Sequence, residues 1–189
     1  MDLITLVIDA LISIGKTIYL LLPAYFANMA PVFNNNLFKK QKFYPMDFNA
    51  KLNGKPLFGE HKTWNGLIAA IIIAILVSLI QHLLSRYPFF WEFGFFSYNN
   101  WVLIGLLMGF GAIIGDLTKS FFKRRIGKKP GERWVPFDQL DFIIGALIFL
   151  SFFYKIEAKI IIYALIISII LHITTNHIGF YLGMREAKW

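Results

Sequence analysis

The sequence predicts an all-α fold: a polytopic membrane protein with five transmembrane helices, its N-terminus outside and two long loops in the cytoplasm. Three observations carry that expectation. The 189 residues are 57% hydrophobic with a mean hydropathy of +0.59, too apolar for an ordinary soluble domain. Five apolar runs approach the about 20 residues that a spanning helix needs. The basic residues fall almost entirely on one side of those runs. A single integral membrane domain over residues 1–189, multi-pass in the cell membrane, is the simplest organisation.

The runs cover residues 3–30, 66–84, 101–117, 140–154 and 159–182. The first is long enough to tilt or to break near Pro23, and it contains Asp9 and Lys16. No basic region precedes it, so a cleaved signal peptide is not expected. The third carries Gly105, Gly109, Gly111 and Gly115 at small-xxx-small spacing, which allows close helix–helix approach. That face can serve a homodimer as well as internal packing. The third and fourth runs are short and need flanking residues to complete them.

Orientation follows from the cations. The loop 34–65 holds six (Lys39, Lys40, Lys42, Lys51, Lys55, Lys62), the loop 118–139 holds seven, and Arg185 and Lys188 follow the last run. Only Arg86, Lys155 and Lys159 stand opposite. Both loops therefore face the cytoplasm. Trp91, Trp101 and Trp189 fall near the expected interfaces, where amphipathic rings collect.

The net charge is +8. On a membrane protein this reads as attraction to anionic headgroups or a phosphorylated substrate rather than nucleic acid. Cysteine is absent, which excludes disulfides, thiolate metal sites and cysteine nucleophiles.

Residues 115–142 concentrate the chemistry. They carry Lys119, Lys123, Arg124, Arg125, Lys128, Lys129 and Arg133 together with Asp116, Asp138 and Asp141. Binding polyphosphate through Mg²⁺ needs both signs: cations for phosphate oxygens, carboxylates for the metal. Asp138 and Asp141 are three residues apart, hence on one helix face. The same spacing also suits an N-cap with an acidic first turn. Asp116 ends an apolar run, where an unpaired carboxylate is costly. The cation cluster is equally an ordinary cytoplasmic flank, and Ser120 either donates to a phosphate or decorates a helix.

The segment from Gly54 to Trp64 is glycine-bearing but is not a P-loop, because Lys62-Thr63 does not adjoin the glycine and no strand precedes it. Lys62 and Thr63 at the mouth of a span can still bind an anion through backbone N–H groups. Asn28, near Pro23 and Tyr25, suits helix–helix bonding or a substrate oxygen. His61, His82, His172 and His177 include no pair at the i,i+4 spacing of a zinc helix.

Three motifs carry a family resemblance over nearly the whole chain. They are Pro-Ala-Tyr-Phe-Ala-Asn at 23–28, Gly-Lys-Pro-Leu-Phe-Gly-Glu-His-Lys-Thr-Trp-Asn-Gly at 54–66, and Gly-Asp-Leu-Thr-Lys-Ser-Phe-Phe-Lys-Arg-Arg at 115–125 followed by Pro-Phe-Asp-Gln-Leu-Asp-Phe at 136–142. The chain resembles the CDP-archaeol synthase family, archaeal-type CTP:lipid-phosphate cytidylyltransferases related to the phosphatidate cytidylyltransferases. Asn53 stands where that family leads one to expect aspartate. The bacterial His-Gly-Gly element is replaced by Val135-Pro136-Phe137, which favours the archaeal branch.

The resemblance implies a Mg²⁺-dependent transfer of CMP from CTP to a lipid phosphate, 2,3-bis-O-geranylgeranylglyceryl phosphate, giving CDP-archaeol and pyrophosphate. It implies catalytic roles for Asp116, Ser120, Lys123, Arg124, Asp138 and Asp141, with the three aspartates as metal ligands. Asn28, Lys62, Thr63 and Arg125 complete the substrate-binding set. Partners would be CTP, an isoprenoid or acyl glycerol phosphate, and the membrane. Two alternatives stay open: the same chemistry on phosphatidate, and a non-enzymatic lipid-binding scaffold. A transporter fits poorly, since no internal repeat is apparent.

Overall fold

A computed structural model describes residues 2–37, 44–59, 61–129 and 132–181. Lys39, Lys40, Lys42, Glu60, Arg185, Lys188 and Trp189, named above, lie outside the described residues. The helices are α1 (Leu3–Leu37), α2 (Trp64–Leu84), the short α3 (Pro88–Phe93), α4 (Trp101–Arg125), α5 (Phe137–Ser151) and α6 (Ala158–Tyr181). A two-stranded hairpin, β1 (Lys51–Leu52) with β2 (Lys55–Pro56), interrupts the link between α1 and α2.

A long helix stands at each of the five expected places. Among the described residues, three segments are long and apolar enough to cross a membrane: Leu3–Pro31, Trp64–Leu84 and Tyr98–Arg125. α5 has 15 residues, about 22 Å of helix against a hydrocarbon core of about 30 Å. In α6 the apolar part is Ala158–Thr174.

One of two alternatives is set aside and one expectation is corrected. α1 does not break at Pro23; it runs unbroken through Pro23 and Pro31. Spanning helices tolerate proline where neighbours pack around the freed backbone, and here the Pro23 ring is fully buried while Pro31 lies against Gly66 of α2. Residues 118–125, read as loop, are the last two turns of α4. Hydropathy marks where a segment stops being apolar, not where its helix ends. A closing turn then follows. Lys128 N–H donates to Lys123 O and Gly127 N–H to Arg124 O, with Gly127 at φ +82. That is the paired-bond C-terminal motif that glycine permits.

α4 is the central helix, packed against α1, α2 and α5, while α6 packs on α1 and α5. Small residues set the distances. A methyl on Gly109 would sit 2.8 Å from Ala74 Cβ of α2, and one on Gly111 would sit 2.6 Å from the Gly145 carbonyl oxygen of α5. The glycines of the third run therefore serve packing within the chain. Leu20, Leu21, Ala70, Ile104, Met108, Phe142 and Ile143 fill the core between these helices.

The hairpin explains Asn53. Asn53 (φ 51) and Gly54 (φ 74) both lie in the left-handed region between β1 and β2. A two-residue hairpin turn of this kind selects Asn-Gly. Position 53 is occupied for backbone reasons.

Candidate active site

Three segments converge at one end of the bundle: the entry to α2, the last turns of α4 and the first turns of α5. The centre is Lys119. Its Nζ lies 3.2 Å from Asp116 Oδ1, 3.1 Å from Asp138 Oδ1 and 2.6 Å from Asp141 Oδ2. Lys62 Nζ, from the other loop, pairs with Asp116 Oδ2. Lys123 Nζ donates to both oxygens of Asp138 at 3.0 and 3.1 Å and to the carbonyl oxygen of Glu132. Three lysines and three aspartates thus alternate in one partly buried cluster. Burying charge is costly, and alternation of sign with good geometry is what offsets it.

Helical spacing builds this. Asp116, Lys119 and Lys123 are at i, i+3 and i+7, one face of α4. Asp138 and Asp141 share a face of α5, and both reach Lys119. The N-cap of α5 is Pro136, so Asp138 is not the cap; it stands in the first turn. Its Oδ2 accepts from Trp134 N–H at 2.6 Å. Asp141 reaches the cluster because α4 and α5 touch at Gly115: a methyl there would overlap the Asp141 carbonyl oxygen.

The loop before α2 is built to hold Lys62. The buried Asp47 carboxylate accepts from the backbone N–H groups of Asn49 (3.0 Å), Phe58 (3.0 Å) and Gly59 (3.3 Å). Lys62 is held through both of its backbone polar groups: its N–H donates to Gly59 O, and its carbonyl accepts from Met46 N–H. Thr63 caps α2, its Oγ1 accepting from Gly66 N–H at 3.2 Å. Arg125 clamps the hairpin to α4, donating to the carbonyls of Leu52 (2.9 Å), Lys55 (3.1 Å) and Pro56 (2.5 Å).

The remaining expected residues sit around this centre. Ser120 is buried, next in sequence to Lys119. Arg124 is buried too, but its Nη1 donates to Lys128 O at 2.6 Å, within the turn that closes α4. Asn28 is half-buried on α1. In the turn beyond α4, Lys128 Nζ and Lys129 N–H each donate to Glu132 at 2.9 Å. Those bonds hold the Glu132 carboxyl below its usual range.

The sequence reading gave Lys119 no role beyond being one of seven cations. Its signal was present: it is three residues from Asp116, and so faces the same way. Asp47 was also passed over. Nothing in its local sequence marks a carboxylate that organises a loop ending fifteen residues later at Lys62.

The donor set can be tested against magnesium. As they stand, no three acidic or imidazole groups among the described residues converge to hold a metal. The point that the three carboxylates share is taken by the Lys119 ammonium. It keeps the three carboxylates 2.6 to 3.2 Å from a cationic centre, where magnesium takes oxygens at about 2.0–2.1 Å. The set is otherwise that of a hard cation, oxygens from three carboxylates around one point. Asp141 Oδ2 is buried and lies beside the ammonium without an aligned hydrogen bond. The residues fit magnesium on the condition that Lys119 withdraws.

Comparisons with known proteins agree with this architecture. A family model described as CarS-like, CDP-archaeol synthase, matches residues 8–189. The CDP-archaeol synthase of Thermofilum pendens is 32% identical over 94% of this chain and 82% of its own length. That of Archaeoglobus fulgidus is 34% identical over 92% of this chain and 97% of its own. A solved structure described as an intramembrane enzyme for archaeal membrane lipids biosynthesis superposes with a TM-score of 0.68 at 28% identity, covering 84% of this chain and 91% of that one. A helical membrane chain matched over nearly its whole length, with the motifs of 54–66, 115–125 and 136–142 folded into one charged cluster, belongs to the CDP-archaeol synthase family.

Proposed function

We propose that the chain transfers the CMP group of CTP to a dialkylglycerol phosphate bearing isoprenoid ether chains, releasing pyrophosphate. The observation that carries this reading is the alternating lysine–aspartate cluster at the end of a membrane bundle, in a chain of this family. A lipid scaffold would need the cations alone. It has no use for three aspartates held in register with them.

A lipid phosphate oxygen attacks the α-phosphorus of CTP. One P–O bond forms, the bond to the β-phosphate oxygen breaks, and pyrophosphate leaves with its electron pair. A phosphate monoester loses its second proton at about pH 6, so the attacking oxygen is ionised at neutral pH without a strong base. Catalysis then rests on positioning and on stabilising charge. Asp138 and Asp141, with Asp116, are the residues that would hold Mg²⁺, which when bound neutralises the phosphate oxygens and the leaving group. Lys123 and Ser120 face the nucleotide phosphates, and Arg124 shapes the turn beside them. Lys62 receives the lipid phosphate from the opposite wall. Thr63 and Arg125 hold that wall in place, and Asn28 lends a polar group from α1.

In the membrane, α1, α2, α4, α5 and α6 form the five spans, with the N-terminus outside and the cluster at the cytoplasmic surface. The cation asymmetry of the loops supports this orientation. So does the gathering of Lys62, Lys119 and Lys123 at a single end of the bundle.

The test is pyrophosphate release by purified protein in detergent with Mg²⁺. Each of the four nucleoside triphosphates is supplied with either the isoprenoid ether phosphate or phosphatidate. Release with CTP and the ether lipid alone is expected. Release only with phosphatidate would move the chain to the acyl-lipid reaction, and silence from folded protein would sink the reading.

A further inference from the structure

We infer that Lys119 is a built-in counter-ion: it occupies the cation position among Asp116, Asp138 and Asp141, and gives it up when a nucleoside triphosphate arrives to receive its ammonium. The inference rests on the reaction proposed above and deepens it.

Among the described residues, Lys119 alone touches all three carboxylates. Lys62 pairs with Asp116, and Lys123 is tied to Asp138 and to the Glu132 carbonyl. Every ion-pair partner of Lys119 is thus an oxygen that a divalent cation would also take. A lysine is suited to the exchange, because a compact charge on a flexible four-carbon stem can change partners while its helix stays still. The close contact of α4 and α5 at Gly115 keeps the aspartates in place during the exchange.

The electrostatics then couple the two ligands. With Lys119 in place, three lysine charges balance three carboxylates, and a magnesium ion arriving alone meets an ammonium among its intended ligands. Triphosphate removes that conflict by offering Lys119 anionic oxygens of its own. Magnesium and CTP therefore load together, each tightening the other by the same factor. Free magnesium does not fill the site in advance.

The experiment titrates Mg²⁺ alone into the purified full chain in detergent, without nucleotide or lipid, following heat of binding and thermal unfolding. Wild type is expected to show weak binding and little change in Tm. Lys119→Gln is expected to bind Mg²⁺ at least about tenfold more tightly, since a like charge a few ångströms away has gone, and its Tm should climb with Mg²⁺. Adding Asp141→Asn to Lys119→Gln should abolish that gain and raise the metal-free Tm. Where Lys119→Gln stays monodisperse only with Mg²⁺, its collapse on chelation and its rescue by Asp141→Asn read the same way. Equal affinity in wild type and Lys119→Gln overturns the inference. So does a double variant that keeps the gain, or tight Mg²⁺ binding by wild type alone. Pyrophosphate release by wild type separates the two ideas: its failure counts against the reaction, while the Mg²⁺ titration judges Lys119.

Discussion

Gly115 stands directly against the backbone of Asp141: a methyl group on Gly115 would overlap the Asp141 carbonyl oxygen and lie 2.8 Å from its carbonyl carbon. The residue that follows Gly115 is Asp116, so one backbone contact sets the spacing between two of the three aspartates. Gly115→Ala should force α4 and α5 apart. Overpacking of this kind costs about 1–3 kcal/mol. A lowered Tm together with strongly reduced pyrophosphate release is the expected result. A variant with unchanged Tm and full activity would show that the helices can separate without disturbing the cluster.

Asp138→Asn with Asp141→Asn should abolish transfer, by at least about a hundredfold, as loss of charge-stabilising groups does elsewhere. The protein should still insert, at a lower Tm, since three partly buried lysines then share the one Asp116 carboxylate. Activity is read by pyrophosphate release and folding by size-exclusion profile. Near-normal turnover would reduce Asp138 to a favourable charge in the first turn of α5 and Asp141 to an ion-pair partner of Lys119.

Arg125→Ala should release the hairpin from α4, because its guanidinium holds three carbonyls of residues 52 to 56. Bonds from a charged donor contribute about 1.5–3 kcal/mol when well buried, and less here where the side chain meets solvent. Limited proteolysis should cut between residues 51 and 59 faster than in wild type. Activity should fall by only a few-fold, through looser placement of Lys62, and Arg125→Lys should not restore the clamp.

Thr63→Ala should remove the cap of α2 at a cost of about 1 kcal/mol, while Thr63→Ser should retain it. If Thr63 acts only as a cap, the two variants differ in Tm and hardly in the KM for CTP or lipid. A large rise in KM for Thr63→Ser would instead give the threonine methyl or its position a direct part in binding.

The five helices were legible because hydrophobic burial writes itself into composition over about 20 residues. The aspartates and Lys123 were legible because mixed charge beside apolar runs is costly unless it serves some purpose. Lys119 was not, since its importance depends on α5 folding back beside α4. The extent of α4 was missed for a related reason: its last two turns are charged and carry no apolar signal, yet Arg124 and Gly127 complete their closing bonds.

By itself, the sequence determined a basic, cysteine-free membrane bundle, the three motifs that carry its family, and the residue types needed for phosphate chemistry. Tertiary structure alone decided that Lys62, fifty-odd residues before Asp116, shares its carboxylate, that Asn53 serves a turn, and that Lys119 sits among all three aspartates. The division has a physical basis. Helix propensity and apolar burial act along the chain and can be read from neighbours. The balance of buried charges depends on distances of about 3 Å across helices, and those exist only once glycines such as Gly111, Gly115 and Gly145 have let the backbones meet.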